Sequence, residues 1–325
     1  MSSDAHCPTT ARGYADLVSR PTSDVVVPFW GEATQLEGLR ERLGQIKLGS
    51  GDSVVVVDNT PGRTTAPEGP VAVLHASERE APGYARGRGA ARGTADWIVF
   101  IDADVEPPAD LLDRYFDPSP DEHTGMLAGG IIDEPVPRNG PAAARYAYIR
   151  RFMSQDDTMG PGPWGFPKTA NVACRRTAFE ELGGFRQDIR GGEDADLTYR
   201  LRASGWQIER RERAAVVHRN RETVRAFVVQ KLKHGSGMGW VNREYPGASP
   251  PRRLPGLTWW GVRTAARRLV RAARTRNRDD VLWALFEPLE LVIHEVGRAL
   301  PNRRPLRRLR PLGPSRRAGV EGDPR

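Results

Sequence analysis

Asp102-Ala103-Asp104 closes an apolar run at residues 97–101. Two carboxylates one residue apart on a loop can hold a hard divalent cation, directly or through water. Such an ion can bridge a diphosphate and neutralise a departing anion. For an isolated D-x-D a solvated turn is the better reading, so its meaning rests on its companions. Gly192-Glu193-Asp194-Ala195-Asp196-Leu197 sets three carboxylates at the start of a helical stretch. The positive end of a helix dipole favours negative charge there, and capping explains one or two of them. A carboxylate at that point can also take the proton from an attacking hydroxyl. His218 stands at the end of another apolar run, residues 214–217.

These groups need a scaffold, and the apolar patterning predicts one. Residues 25–27, 54–57, 71–74 and 97–101 read as short buried strands. Between them, Leu36, Leu39, Leu43 and Ile46 recur at helical spacing, and the small, basic stretch 84–94 suits a short helix. Strands alternating with helices imply parallel βαβ units, with both faces of the sheet covered. Ligands of such sheets bind beyond the carboxyl ends of the strands, which here carry Pro28 and Glu32, Asp58, and Asp102 with Asp104. Further on, residues 176–182 read as a helix stopped by Gly183-Gly184, and 194–203 as one stopped by Gly205.

At 325 residues and 38% hydrophobic content, the chain can bury a large α/β core. No apolar stretch approaches the ~20 residues that span a bilayer, and the first residues lack a secretory layout. The expected location is cytoplasmic, with peripheral attachment at the inner face of the membrane as an open option. Cys7 and Cys174 are too few for a disulfide or zinc framework. Residues 251–325 hold 18 Arg and 7 acidic residues, a balance of +11 in a chain of net +8. A basic tail attracts anionic surfaces, and it is equally at home as a solvated extension.

Taken in order, these residues resemble the inverting GT-A enzymes of glycosyltransferase family two, of bacterial type, from about residue 24 to 218. Members carry a strand ending in Pro-x-x-x-Glu, as at Pro28 to Glu32, and a strand ending in an Asp that reads the nucleobase, as Asp58 would. Their Ala-Arg-Asn-x-Gly stretch is here Ala85-Arg86-Gly87-Arg88-Gly89, with Gly87 in place of Asn and Arg86 kept for the diphosphate. Asp102 and Asp104 resemble the metal motif, and Asn171 with Gly183-Gly184-Phe185 the segment near the donor sugar. Asp194, beside Glu193, takes the general-base position, and His218 that of a further metal ligand.

The resemblance implies a GT-A fold, a Rossmann-like and mostly parallel sheet flanked by helices, with a C-terminal basic helical extension. It implies a nucleotide-sugar donor bound through Pro28, Glu32, Asp58, Arg86, Asp102 and Asn171. The cofactor would be a divalent cation, Mg2+ or Mn2+, on Asp104, Asp102 and His218. The acceptor is a hydroxyl of a glycan, a lipid-linked molecule or a small molecule. Two rivals remain: a degenerate, non-catalytic GT-A binding protein, and a nucleotidyltransferase, which would need a Gly-rich, Lys-containing loop after the first strand. Nucleic acid is not expected as a partner. Gly87-Arg88-Gly89 has the wrong spacing for a dinucleotide loop.

The expected organisation is a flexible N-terminus (1–23), a catalytic domain (24–250), a basic helical extension (251–300) and a disordered Arg/Pro-rich tail (301–325). Residues 231–240, with their glycines and lysines, resemble the mobile loop that closes over the donor in GT-A enzymes, and read equally as an ordinary basic loop. In the extension, 257–274 and 280–300 read as helices, with arginines 263, 267, 271 and 274 on one stripe. Trp164 and Trp206 could stack on sugar rings, though packing in the core is the simpler reading.

Overall fold

The computed structural model describes residues 20–64, 71–249 and 254–302. The first half alternates as the patterning predicts. It runs β1 (Ser23–Phe29), α1 (Ala33–Leu43), β2 (Ser53–Asp58), β3 (Ala72–His75), α2 (Pro82–Ala90) and β4 (Trp97–Ile101). Next come β5 (Val105–Glu106), α3 (Leu111–Tyr115), β6 (Thr124–Asp133), α4 (Ala142–Arg150), β7 (Asn171–Arg175) and α5 (Arg176–Glu181). The chain continues through α6 (Glu193–Ala203), β8 (Gln207–His218), α7 (Val224–Glu244), α8 (Leu254–Thr275) and α9 (Arg278–Gly297).

One eight-stranded sheet results, in the order β3-β2-β1-β4-β7-β6-β8-β5. Strands β1 to β4 pair in parallel, while β7 is antiparallel to both β4 and β6, and β8 runs parallel to β6. Two reversals cancel, so the carboxyl ends of β1, β2, β3, β4, β6 and β8 share one rim. The Val-rich runs are buried on both faces, as interior parallel strands require. Leu36, Leu39, Leu43 and Trp97 belong to the core on one face, and Tyr84, Phe100, Phe179 and Leu197 to that on the other. Gly89 lets α2 lie close, because a Cβ there would strike the side chains of Val26 and Val57. The Gly87-Arg88-Gly89 triplet is therefore inside a helix and cradles no phosphate. Cys174 is buried in the same core, as a small apolar residue would be; Cys7 lies outside the described residues.

The expected mobile loop at 231–240 is instead the middle of α7, a 21-residue helix. Its glycines allow close packing rather than motion. A Cβ on Gly235 would run into the carbonyl of His294, and one on Gly239 into the backbone of Arg298, both on the side of α9. Gly237 meets the backbone of Gly191 and Gly192. We expect Gly235→Ala to destabilise the protein by about 1–3 kcal/mol through overpacking, visible as a lower unfolding temperature; an unchanged transition would refute this contact.

Helix α9 is held to the sheet domain by polar groups from two elements. Glu290 accepts hydrogen bonds from Lys231 Nζ (2.5 Å) on α7 and Tyr146 OH (2.7 Å) on α4. Asp279 forms a two-pronged pair with Arg145. Phe227, Tyr146 and Phe286 fill the space between. Both expected helices of the extension are present, and α8 packs on α9. At the other end of the chain Arg20 pairs with Asp52 at 2.6 Å, so the chain is anchored before β1 begins.

Candidate active site

Shared strand direction gathers titratable groups on one rim. Asp58 ends β2 and is fully buried, with Arg63 Nη1 at 3.2 Å and His75 Nδ1 at 3.6 Å from its Oδ2. His75 faces it across the β2–β3 register. Its Oδ1 accepts from the Thr60 backbone (2.9 Å), while Oδ2 has no hydrogen-bond partner. The Arg63 ion pair offsets part of the cost of burying that oxygen, and a ligand donor could supply the hydrogen bond it lacks. Arg63 Nη2 also donates to the carbonyl of Gly31 (2.6 Å), which draws the loop after β1 over Asp58. Pro28 is within β1, half-buried, and Glu32 is exposed at the start of α1, where its backbone N–H donates to Gln35 Oε1.

The two carboxylates of D-x-D diverge. Asp102 turns toward Arg86, which it meets at 2.5 Å, and Arg86 reaches Glu193 with its other arm at 3.0 Å. Arg86 is 3% exposed, so it braces two acids from α2 instead of standing open to a phosphate. Asp104 turns the other way. The short strand β5 pairs with the end of β8, Val105 opposite His218, and this brings His218 Nε2 to 3.5 Å from Asp104 Oδ1. Arg221 sits at 2.8 Å from Asp104 Oδ2. Burial opposes it, but His218 and Arg221 hold the Asp104 carboxyl below its usual range. Burial likewise lowers the His218 imidazole, and Asp104 more than restores it.

Behind His218 stands a group that the sequence reading missed. Asp133 ends β6, opposite His218 in register, and its Oδ1 lies 4.0 Å from the unpartnered His218 Nδ1. Asn220 Nδ2 (2.7 Å) and the Met153 backbone (3.1 Å) fix Asp133. The signal was present, since Asp133 closes an apolar run as Asp58 and Asp102 do. Tested against a divalent cation, the donor set fits in part. Asp104 and His218 lie near enough, at 3.5 Å, to serve as two ligands of one ion. Asp133 stands behind the imidazole at 4.0 Å, beyond hydrogen-bond reach but on the side where a carboxylate orients a metal-bound histidine. Asp102 does not join them, and among the described residues no three such groups converge on one point.

Asp194 lies in the first turn of α6. Gly192 precedes α6 with φ of 87°, and its backbone packs on Gly237, which fixes where Glu193 and Asp194 emerge. Asn302, 2% exposed just past α9, donates to Gly191 O at 2.8 Å and so pins the same loop. One oxygen of Asp194 accepts from the Ala195 backbone at 2.9 Å. Burial first, then repulsion from Glu193, pushes its carboxyl up to about 7. Lys168, half-buried nearby and bonded to the carbonyls of Ser154 and Phe152, has its pKa lowered by desolvation.

Asn171 stands apart from the rim chemistry. It is fully buried, donates to Gly130 O (2.8 Å) and Ala214 O (2.7 Å), and accepts from Tyr115 OH (2.6 Å). Its side chain ties β7 to its neighbours, which corrects the expected donor contact. Trp206 gives its indole N–H to Glu181, and Trp164 packs edge-on against Tyr199 while remaining 37% exposed, at the margin of the core and not within it.

A mixed sheet with parallel β1–β4, covered on both faces and carrying its acids on the carboxyl rim, defines a GT-A α/β domain. A solved mannosyltransferase from Pyrobaculum calidifontis, in complex with GDP-Man and Mn2+, shares this fold with a TM-score of 0.51. The likeness covers 86% of this chain and 74% of that one at 17% identity. Residues 24–183 match the model of glycosyl transferase family 2, and the chain carries a domain of that family. The pre-mycofactocin glycosyltransferase of Mycobacterium tuberculosis is 25% identical over 242 residues, 71% of this chain and 50% of that protein. Succinoglycan biosynthesis protein ExoA of Rhizobium meliloti is 24% identical over 234 residues, 69% of this chain and 71% of that protein. The chain thus spans about half the length of the first of these relatives.

Proposed function

We propose that this chain is a glycosyltransferase that moves a sugar from a nucleotide-diphosphate donor to an acceptor hydroxyl, with inversion and with a divalent cation. The observation that carries the reading is Asp194, a carboxyl raised to about 7 at the mouth of α6. A base with that affinity is half ionised near neutrality, where it can both exist unprotonated and accept a proton. Simple helix capping would instead hold its pKa down.

In this reading Oδ2 of Asp58, ion-paired with Arg63 but without a hydrogen bond, accepts one from the nucleobase beneath the loop from Pro28 to Glu32. Asp104 and His218 would hold the cation, which when bound would supply charge neutralisation for the departing diphosphate. Arg86 acts as a positioning residue, holding Asp102 and Glu193 while Arg221 remains exposed for an anion. Asp194 takes the proton of the acceptor hydroxyl as its oxygen attacks the anomeric carbon. The nucleoside diphosphate leaves from the opposite face, and configuration inverts. Residues 24–250 constitute the catalytic unit, and 251–300 the appended helices.

The test is a panel of nucleotide sugars with Mn2+ or Mg2+, read as donor hydrolysis and as thermal stabilisation. We expect at least one donor both to stabilise the protein and to be cleaved. Stabilisation without cleavage across the panel favours the degenerate binder, and cleavage only of nucleoside triphosphates favours the nucleotidyltransferase. Asp133→Asn gives an independent check on the cation site. Loss of a carboxylate behind a ligating histidine weakens metal binding by about 10–100-fold, measurable by Mn2+ titration followed by electron paramagnetic resonance. Unchanged Mn2+ affinity would separate Asp133 from the site.

A further inference from the structure

The two C-terminal helices leave an apolar face uncovered. They are antiparallel: Arg271 pairs with Asp280, Arg268 with Glu287, and Gly261 rests on Pro288. On α9, Val281, Leu285, Leu289, Val292 and Val296 recur at intervals of three or four and are all exposed, Leu285 by 58%. On α8, Trp259, Val262, Leu269 and Val270 are exposed too, Trp259 by 70%. Measured at ~100° per residue, each stripe is turned the same way from the line of contact with the other helix. In an antiparallel pair that common sense of rotation puts both stripes on one face. The opposite face of α9 is the one that packs on α4 and α7, through Phe286 and Glu290. The apolar face therefore points away from the sheet domain.

Charge on this hairpin is sorted. Its acids are engaged within the fold: Asp279 with Arg145, Asp280 with Arg271, Glu287 with Arg268, Glu290 with Lys231 and Glu295 with Arg298. Arg263, Arg267 and Arg274 fall on one side of α8 beside the apolar stripe, with no ion-pair partner among the described residues. An uncovered apolar strip shared by two adjacent helices, edged by tryptophan and by arginines without ion-pair partners, has the composition of an interfacial helix. We propose that the α8–α9 hairpin is a docking surface for an anionic lipid bilayer, lying in the plane of the headgroups with its apolar face inserted. A second copy of the chain fits this face less well, since apposing two such hairpins brings unpaired arginines of one sign together. No helix among the described residues is long and apolar enough to cross a membrane; the attachment proposed is through the surface of this hairpin. The inference is independent of the proposed chemistry, because it rests on residues outside the rim.

The experiment is flotation of the full-length chain with phosphatidylglycerol-containing vesicles and with pure phosphatidylcholine vesicles at low salt. We expect it to float with the anionic vesicles, less with neutral ones, and less as salt is raised. Leu285→Glu with Val292→Glu, both at exposed positions, should cut partitioning at least tenfold without altering thermal unfolding. Neutralising Arg263, Arg267 and Arg274 to Gln should cut binding to anionic vesicles on the order of a hundredfold, at about fivefold per arginine. Absence of flotation at low salt overturns the proposal. Flotation that both variants retain also overturns it, since binding would then lie elsewhere in the chain. If light scattering instead gives a dimer that the Glu variant dissociates, with no vesicle binding, the face is a contact between copies and the bilayer reading is wrong.

Discussion

Asp194→Asn is expected to lower turnover by a hundredfold or more while donor affinity stays near that of the unaltered protein. The amide keeps the shape and the bond from Ala195 but accepts no proton, and general-base catalysis contributes about 10²–10⁴-fold. Since the carboxyl titrates at about 7, turnover of the unaltered protein should rise with pH through that value and level above it. The variant should lose that limb. Stability provides a second readout with a defined sign. A carboxyl whose pKa is raised on folding binds its proton more tightly in the folded state, so stability falls as pH climbs from the ordinary carboxylate range through about 7. Asn carries no such penalty, and the unfolding temperature of the variant should gain on the parent as pH rises from about 5 to about 8. Unchanged turnover would make Asp194 a helix cap and shift the search to Glu193.

Asp104→Ala should abolish transfer, with a loss on the order of a thousandfold, because a cation's neutralisation of a leaving diphosphate amounts to several kcal/mol. Chelation of the unaltered protein should do the same and be reversed by Mn2+ or Mg2+. Asp102→Ala should behave differently. Asp102 faces Arg86, not His218, so its loss should spare Mn2+ binding while loosening Arg86 and, through it, Glu193. Measuring Mn2+ affinity and turnover for both variants separates the two roles. Full activity in chelator would defeat the cation mechanism, and equal loss of Mn2+ binding in both variants would mean that the two carboxylates act together.

The sequence determined the parts whose information is local. Continuous apolar runs, of valine in β1 and β2 and of mixed large residues in β4, announced these strands, because a strand buried on both faces has no polar side. Leu36, Leu39 and Leu43 announced α1, and the glycines at 183, 184 and 205, all with positive φ, ended helices where they were expected to. Strands closing on Asp58, Asp102 and His218 placed the chemistry on one rim, and the order of motifs carried the family. Only the tertiary structure decided what each of those groups does. Asp102 and Asp104 are one residue apart, yet they serve different partners because β5 crosses to the end of β8. Arg86 could look like a phosphate ligand until two acids from distant elements closed on it. Asp133 behind His218 depends on a register between strands more than 80 residues apart. Residues 231–240 show the limit most directly. Glycine weakens a helix on its own, so the stretch reads as a loop, but α9 and the Gly191–Gly192 backbone approach so closely that only glycine fits. Intrinsic propensity is a property of the residue; the space left by its neighbours is a property of the fold.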